Sequence, residues 1–354
     1  MQKQNRSGRK TSPVIFTGCE MTNGMQAAAG GQRRHVSVNG KRVKTIDVHA
    51  HCIVPEAFAL AGKTAADHQF PDLDEVGSKR MAAMDKQGID IEALSINPFW
   101  YREKRDLAAE ICRIQNEKLA EMCALYPDRL VAFASVTLQD PALAVEQLVH
   151  GVKKLGLRGA AVGASCADQE FSDPKFHPFW AKAEELGVLI FIHPQSTPEL
   201  NRRFKGNGWL ANTIGNPLDT TICLSHLIFD GTLDKFPNLK LCSAHGGGYL
   251  PSYAPRSDHP CRVAPWHCDP SVKLKKKPTE YLKTMYYDTL VFTPEMLRHL
   301  ATMVGVSQLV IGTDHPIPWH EDPVTHIMNT PGFTDDERIA MLGGTAAKLL
   351  GIKP

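Results

Sequence analysis

Eight short apolar runs separated by helical stretches predict a (β/α)8 TIM barrel for this 354-residue chain. The runs are continuous rather than alternating, which suits strands of a parallel sheet buried on both faces. An open doubly wound sheet is the alternative, and it would want a Gly-rich phosphate loop after the first strand. That position holds HAHCIVPEA instead. With 43% hydrophobic residues the chain can bury one barrel or two ordinary domains. We read a single barrel domain over 35–354 behind a leader.

The leader, residues 1–34, is polar, basic and rich in Gly, Ser, Gln and Asn, so it lacks core-forming content and is expected to be disordered. Its longest apolar run, Val14 to Phe16, is too short for a signal peptide, and it has no amphipathic period for a transit peptide. Asn39-Gly40 between two β-patterned runs predicts a small hairpin. The first barrel strand follows in TIDVHAH, 45–51. Lys79 to Gly88 reads as a helix closed by glycine, IEALSI as the second strand, and Leu107 to Leu125 as a helix ending before Pro127. Then come VAFASV, a helix opened by Asp140-Pro141, GAAVGAS, a helix from Pro174 to Gly187, and VLIFIHP. A helix around Thr220 to Phe229, the strands LKLCSAH and MYYDTLV, a helix from Pro294, QLVIGTDHP and a last helix from Asp335 to Leu350 complete the count.

Formal net charge is +2, no stretch approaches a membrane span, and no basic, aromatic-studded surface stands out, so neither nucleic acid nor membrane is an expected partner. Nine cysteines without a CxxC pair argue against a disulfide framework and for a reduced, cytoplasmic protein.

In such barrels chemistry sits at the C-terminal ends of the strands. His49 and His51 end the first strand, His193 the fifth, His245 the sixth and Asp314 the eighth, so all five converge on one mouth. Two imidazoles at i and i+2 of a strand share a face and can grip a divalent ion. Metal or acid/base residue types at four of eight strand ends predict a metal site.

These motifs resemble the amidohydrolase superfamily, in the branch containing aminocarboxymuconate-semialdehyde decarboxylase and related decarboxylases, hydratases and lactone hydrolases. The resemblance rests on DVHAH at 47–51, RMAAMDKQGIDIEALS at 80–95, FIHP at 191–194, FDGTLDKFPNLKLCSAHGGGYLP at 229–251 and GTDHP at 312–316. It implies metal ligands at His49, His51, His193 and Asp314, with His245 as the acid/base beside the ion. Three imidazoles and one carboxylate leave a bound ion net positive, which lowers the pKa of its water. Binuclear members carry a lysine on the fourth strand; GAAVGAS has none, so one divalent ion is expected, Zn2+ with Mn2+ as the alternative. The resemblance further implies that Arg256, eleven residues beyond His245, is given to a neighbouring subunit's site to pair the carboxylate of a small-molecule substrate. A homodimer or higher oligomer follows from that.

NPFWY, 97–101, follows the second strand, and Phe99 and Trp100 are expected to wall a planar substrate. Cys52 should point away from the metal face; His177 reads as structural, and His35, His150 and His299 as surface residues. Two departures from the branch bear on the substrate. Cys52 to Ser78 is short, with Lys63 its only cation, and Arg262 to Lys277 is a basic excursion suited to a lid. The expected activity is metal-dependent decarboxylation of an unsaturated or aromatic acid, with metal-bound water or hydroxide, Asp314 and His245 as its chemical groups. Hydrolysis or hydration of a lactone, amide or double bond is the alternative, and a barrel that binds without turnover a third.

Overall fold

The computed structural model describes residues 33–354 apart from 65, 66, 68, 69, 196, 320, 321 and 354. The leader expectation therefore falls outside the described residues except at its end. There Arg33 and Arg34 are tied to the body: Arg33 pairs with Asp90 at 2.6 Å and Arg34 with Asp322 at 2.7 Å. The hairpin forms as expected, Ser37–Val38 pairing antiparallel with Lys41–Arg42 across Asn39 and Gly40, both at positive φ.

Eight parallel strands follow: β1 Ile46–His51, β2 Ile91–Ser95, β3 Leu130–Ala132, β4 Gly159–Val162, β5 Leu189–Ile192, β6 Lys240–Ser243, β7 Tyr286–Asp288 and β8 Leu309–Val310. The order β1-β2-β3 forms one ladder and β4-β5-β6-β7-β8 another. Parallel bridges Ala134↔Ala160 and Asp47↔Ile311 join the two ladders at both seams, so the strands close into a barrel. The seam at β8 and β1 is carried by Val48 N–H donating to Ile311 O at 2.9 Å and His51 N–H to His315 O at 2.6 Å.

The helices occupy their expected stretches, for local reasons. Helix α1, Ser78–Gln87, stops at left-handed Gly88, and α2 spans Arg105–Leu125. Helix α3, Pro141–Lys153, begins where the Asp140 carboxylate accepts the Leu143 N–H, with Pro141 filling a position that needs no donor. Helix α4, His177–Leu186, ends at left-handed Gly187, and α5 spans Asn216–Phe229. Helix α6, Pro294–Val304, is capped by Thr293. The final stretch runs as Asp335–Ile339, a π turn at Ala340–Gly344, and Thr345–Leu350.

Two apolar layers hold this arrangement. Ile46, Val48, Ile91, Ala93, Phe133, Ala161, Phe191 and Val310 fill the barrel interior, whereas Ala50, Cys52, Leu94 and Ile190 pack outward against the helices. Along β1 the even positions thus face inward at 46 and 48 but outward at 50 and 52. The cause is a register shift between Asp47 and Ala50, a bulge that inverts the alternation. From that point the odd positions face inward, which aims His49 and His51 into the barrel.

Two expectations need correction. Cys261 and Cys268 form a disulfide, so the reduced reading fails for this pair; their Cα atoms are 5.6 Å apart because the excursion turns back on itself through Pro260–Val263 and Pro265–His267. The other six cysteines among the described residues are free. The excursion is also not a lid. Lys275 N–H donates to Asp234 Oδ2 at 2.8 Å, and Asp234 lies between α5 and β6, at the end of the barrel away from the strand C-termini.

Candidate metal centre and active site

Each strand-end residue of the expected set reaches the same point. Asp314 Oδ1 stands 3.1 Å from His49 Nε2, 2.8 Å from His51 Nε2 and 3.9 Å from His193 Nε2. The two β1 imidazoles approach at 3.0 Å, Nε2 to Nε2. Donors each about 2.1 Å from a common ion stand roughly 3 to 4 Å from one another, so this spacing fits one first-row cation. His193 Nε2 is buried with no hydrogen-bond partner among the described residues, a donor atom aimed into the cluster.

His245 is also close: its donor atom, with those of His49, His193 and Asp314, lies in a group no more than 4.8 Å across. Distance alone would allow it as a ligand in place of His51. The far ring nitrogens separate the two. Metal-binding histidines almost always anchor their other nitrogen. His49 Nδ1 meets Asp288 Oδ2 at 2.6 Å, His51 Nδ1 meets Ser95 Oγ at 3.0 Å, and His193 Nδ1 donates to Pro194 O at 2.9 Å. His245 Nδ1 has no such partner among the described residues, and its Nε2 faces the other Asp314 oxygen, Oδ2, at 3.6 Å. Both His245 and Asp314 take positive φ, 55° and 63°, backbone strain of the kind held at functional sites.

The electrostatics suit a cation. Burial opposes protonation of His49, yet the charges of Asp314 and Asp288 outweigh it and carry its pKa up to about 10. Burial lowers His51 and His193, in His193 reinforced by the neighbouring imidazoles, which keeps both in the neutral, ligating form. Burial pushes the Asp314 carboxyl up, but His49 and the hydrogen bonds from His245, His49 and His51 hold it well below the usual range. An ion held here would replace the proton that the carboxylates draw onto His49.

Behind the ligands lies a buried ionic network. Arg80 pairs with Glu92 at 2.7 Å, with both side chains almost fully buried, and donates to His51 O at 2.6 Å. Glu92 also meets His315 Nδ1 at 2.8 Å. Asp47 accepts from His49 N–H and from the Thr313 hydroxyl, tying β1 to the loop that carries Asp314.

A cavity of about 250 Å3 opens above His51, His193 and Asp314. Its other walls are Phe70, Leu73, Asn97, Trp209, Asn212, Asn216 and Ile317. Trp209 takes φ of 49° and stacks on Trp319 with ring centres 5.6 Å apart; Phe70 stands 6.1 Å from it. Asn212 belongs to a π turn, Ala211–Gly215, that leads into α5, an irregularity frequent at functional sites. The aromatic wall is thus not the expected one. Trp100 is fully buried and donates its indole N–H to Val136 O at 3.0 Å, because an indole so deep needs a partner. Phe99 packs edge-on against Phe58 and lines a separate hollow with Tyr101, Arg102, Asp168 and Asp219. Arg256 sits on the exposed turn Ala254–Asp258 and lines a surface hollow with Tyr253 and His259, outside its own chain's metal cavity.

Cys52 packs outward, and His177 heads α4 with its Nδ1 2.8 Å from Lys235 Nζ. His35, His150 and His299 are exposed. Residues the sequence reading did not single out are Asp288, Phe70, Trp209, Asn212 and Asn216. Of these only Asp288 had a signal, as a carboxylate closing an apolar strand.

A parallel barrel with a histidine and aspartate cluster at the C-terminal ends of its strands defines a metal-dependent barrel enzyme. The amidohydrolase family model matches residues 46–352, and the chain belongs to that family. It is 28% identical over 334 residues to 2-amino-3-carboxymuconate-6-semialdehyde decarboxylase of Dictyostelium discoideum, spanning 87% of this chain and 92% of that one. The crystal structure of 2,6-dihydroxybenzoate decarboxylase in complex with 2,6-dihydroxybenzoate superimposes with a TM-score of 0.75 at 28% identity, over 87% of this chain and 99% of that one. A dihydroxybenzoic acid decarboxylase from Polaromonas, with bound manganese and 2-nitroresorcinol, gives 0.74 at 26% identity over 88% and 97%. Fold, cluster and relatives together make this protein a metal-dependent decarboxylase.

Proposed function

We propose that the protein decarboxylates a planar unsaturated or aromatic carboxylic acid at one divalent ion held by His49, His51, His193 and Asp314, with His245 moving the proton. The observation that carries this division of roles is the anchoring of Nδ1 in His49, His51 and His193 but not in His245. The imidazole-rich donor set favours zinc; manganese, which the Polaromonas enzyme holds, is the competing ion. An ion so bound supplies a fixed positive charge beside the substrate.

The chain's own groups do the rest. Trp209 and Phe70 offer apolar ring faces to a flat molecule, and Asn97, Asn212 and Asn216 offer amide donors and acceptors to its substituents. Arg256 of the partner subunit pairs the carboxylate of the substrate, since within its own chain it lies outside the cavity. That assigns the active form to a homodimer or higher oligomer. His245 gives its proton to the carbon that loses the carboxyl group. The carbon–carbon bond breaks, its electron pair stays with that carbon as the new C–H bond, and carbon dioxide leaves.

The test is release of carbon dioxide from a panel of muconate-type and hydroxybenzoate-type acids, with metal content measured on the same preparation. Stoichiometric carbon dioxide from at least one acid, lost on chelation, is expected. Turnover of lactones or amides with no decarboxylation would overturn the reading.

A further inference from the structure

Asp288 closes β7, is fully buried and takes four donors. Its Oδ2 meets His49 Nδ1 at 2.6 Å and accepts the His245 N–H at 2.9 Å. Its Oδ1 accepts the N–H groups of Gly246 at 2.9 Å and Leu290 at 3.1 Å. We propose that Asp288 is a positioning residue that sets two parts of the site at once: the tautomer of the ligand His49 and the backbone turn that aims His245.

The first role follows from proton placement. A proton on His49 Nδ1, donated to Asp288, leaves Nε2 with its lone pair toward Asp314 and the ion. The second follows from strain. His245 has φ of 55°, and Gly246, Gly247 and Gly248 continue at 61°, 81° and 66°. Successive amides in such a turn form a concave donor site for an anion, and Asp288 occupies it. The neighbours are shaped around this carboxylate. A Cβ on Gly312 would stand 2.4 Å from the Asp288 Cβ and 2.9 Å from its Oδ2.

The substitution Asp288→Asn separates these ideas from a plain packing role. A carboxylate accepts on both oxygens, but an amide has one oxygen, so its NH2 must face two of the four donors. The backbone N–H groups cannot change. His49 can, by moving its proton to Nε2 and accepting at Nδ1, which blocks the nitrogen that binds the ion.

The inference rests on the metal-centre reading above, and the experiment keeps the two apart. Zinc affinity is measured by chelator competition for the wild type and Asp288→Asn. Histidine ring ¹⁵N spectra are recorded on the zinc-loaded wild type and on both proteins without zinc. The expected result is a zinc affinity 10- to 100-fold weaker in the variant. The ring bonded to residue 288 should carry an Nδ1–H in the wild type, with or without zinc, and should lose that Nδ1 proton in the variant. Unchanged affinity in a variant that still folds overturns the proposal alone, and so does a zinc-loaded wild type in which the ring bonded to Asp288 carries no Nδ1 proton. That spectrum decides the matter even if the variant fails to fold. A wild type that takes up no divalent ion overturns both this proposal and the metal centre.

Discussion

Replacing Arg80 by methionine should destabilise the barrel far more than its distance from the substrate cavity suggests. The guanidinium pairs with Glu92 at 2.7 Å, donates to His51 O at 2.6 Å, and is 2% exposed as a residue. Methionine fills the stem's volume but leaves the Glu92 carboxylate buried with only His315 for a partner and the His51 carbonyl without this donor. Removing one partner of such a pair costs about 3 to 5 kcal/mol. At about 2 to 4 °C per kcal/mol for a large domain, the melting temperature should fall by on the order of 10 °C. Scanning calorimetry on both proteins at equal metal loading reads this directly. Arg113→Met is the control: its pairs with Glu110 and Glu117 are solvent-exposed and screened, so its melting temperature should barely move. The double substitution Arg80→Met with Glu92→Gln should recover part of the loss, because the stranded charge is gone. A fall of less than about 2 °C for Arg80→Met, or a double variant no better than the single, would refute the argument.

Other outcomes follow from the same geometry. Burial pushes the Glu92 carboxyl up, but Arg80 and His315 outweigh it and hold it below the ordinary value of 4.5. Its contribution to stability is thus fully present above pH 4.5 and is lost as the pH falls toward its folded-state value. Glu92→Gln should flatten the acid limb of a stability-against-pH curve, and an unchanged limb would contradict the assignment. Trp209→Ala should raise KM by roughly 2- to 12-fold, the equivalent of a ring contact of about 0.5 to 1.5 kcal/mol; an unchanged KM would remove Trp209 from the substrate wall. Arg256→Ala should cost about 10- to 150-fold in kcat/KM, as befits a charged hydrogen bond of about 1.5 to 3 kcal/mol. Mixing it with His245→Ala should restore activity if the arginine acts across a subunit interface, and no complementation would place its role elsewhere.

The barrel was legible in the sequence because each strand is a short apolar run and each connecting helix carries its own punctuation, such as Asp140-Pro141, Gly88 and Gly187. The converging residues were legible for a related reason: strand C-termini share one mouth, so His49, His51, His193, His245 and Asp314 could be gathered without coordinates. What escaped is irregular. Phe70 and Trp209 lie in stretches with no period, and Trp209 reaches the cavity through a positive φ that no pattern announces. NPFWY offered three aromatics after a strand, but which one faces a cavity depends on turn geometry, and Trp100 went inward to Val136. The bulge that turns His49 and His51 inward is likewise invisible to a period of two. Asp288 stood at a strand end, yet its meaning needed the His49 ring and the His245 turn beside it.

Metal content and turnover measured together on His193→Ala and His245→Ala test the central division of labour. Loss of a first ligand breaks the cage, so His193→Ala should come out metal-depleted and inactive. His245→Ala should keep one divalent ion per chain while losing about 10²- to 10⁴-fold in rate, the usual share of a general acid/base group. A metal-free His245→Ala, or one that turns over at the wild-type rate with its ion in place, would contradict the account.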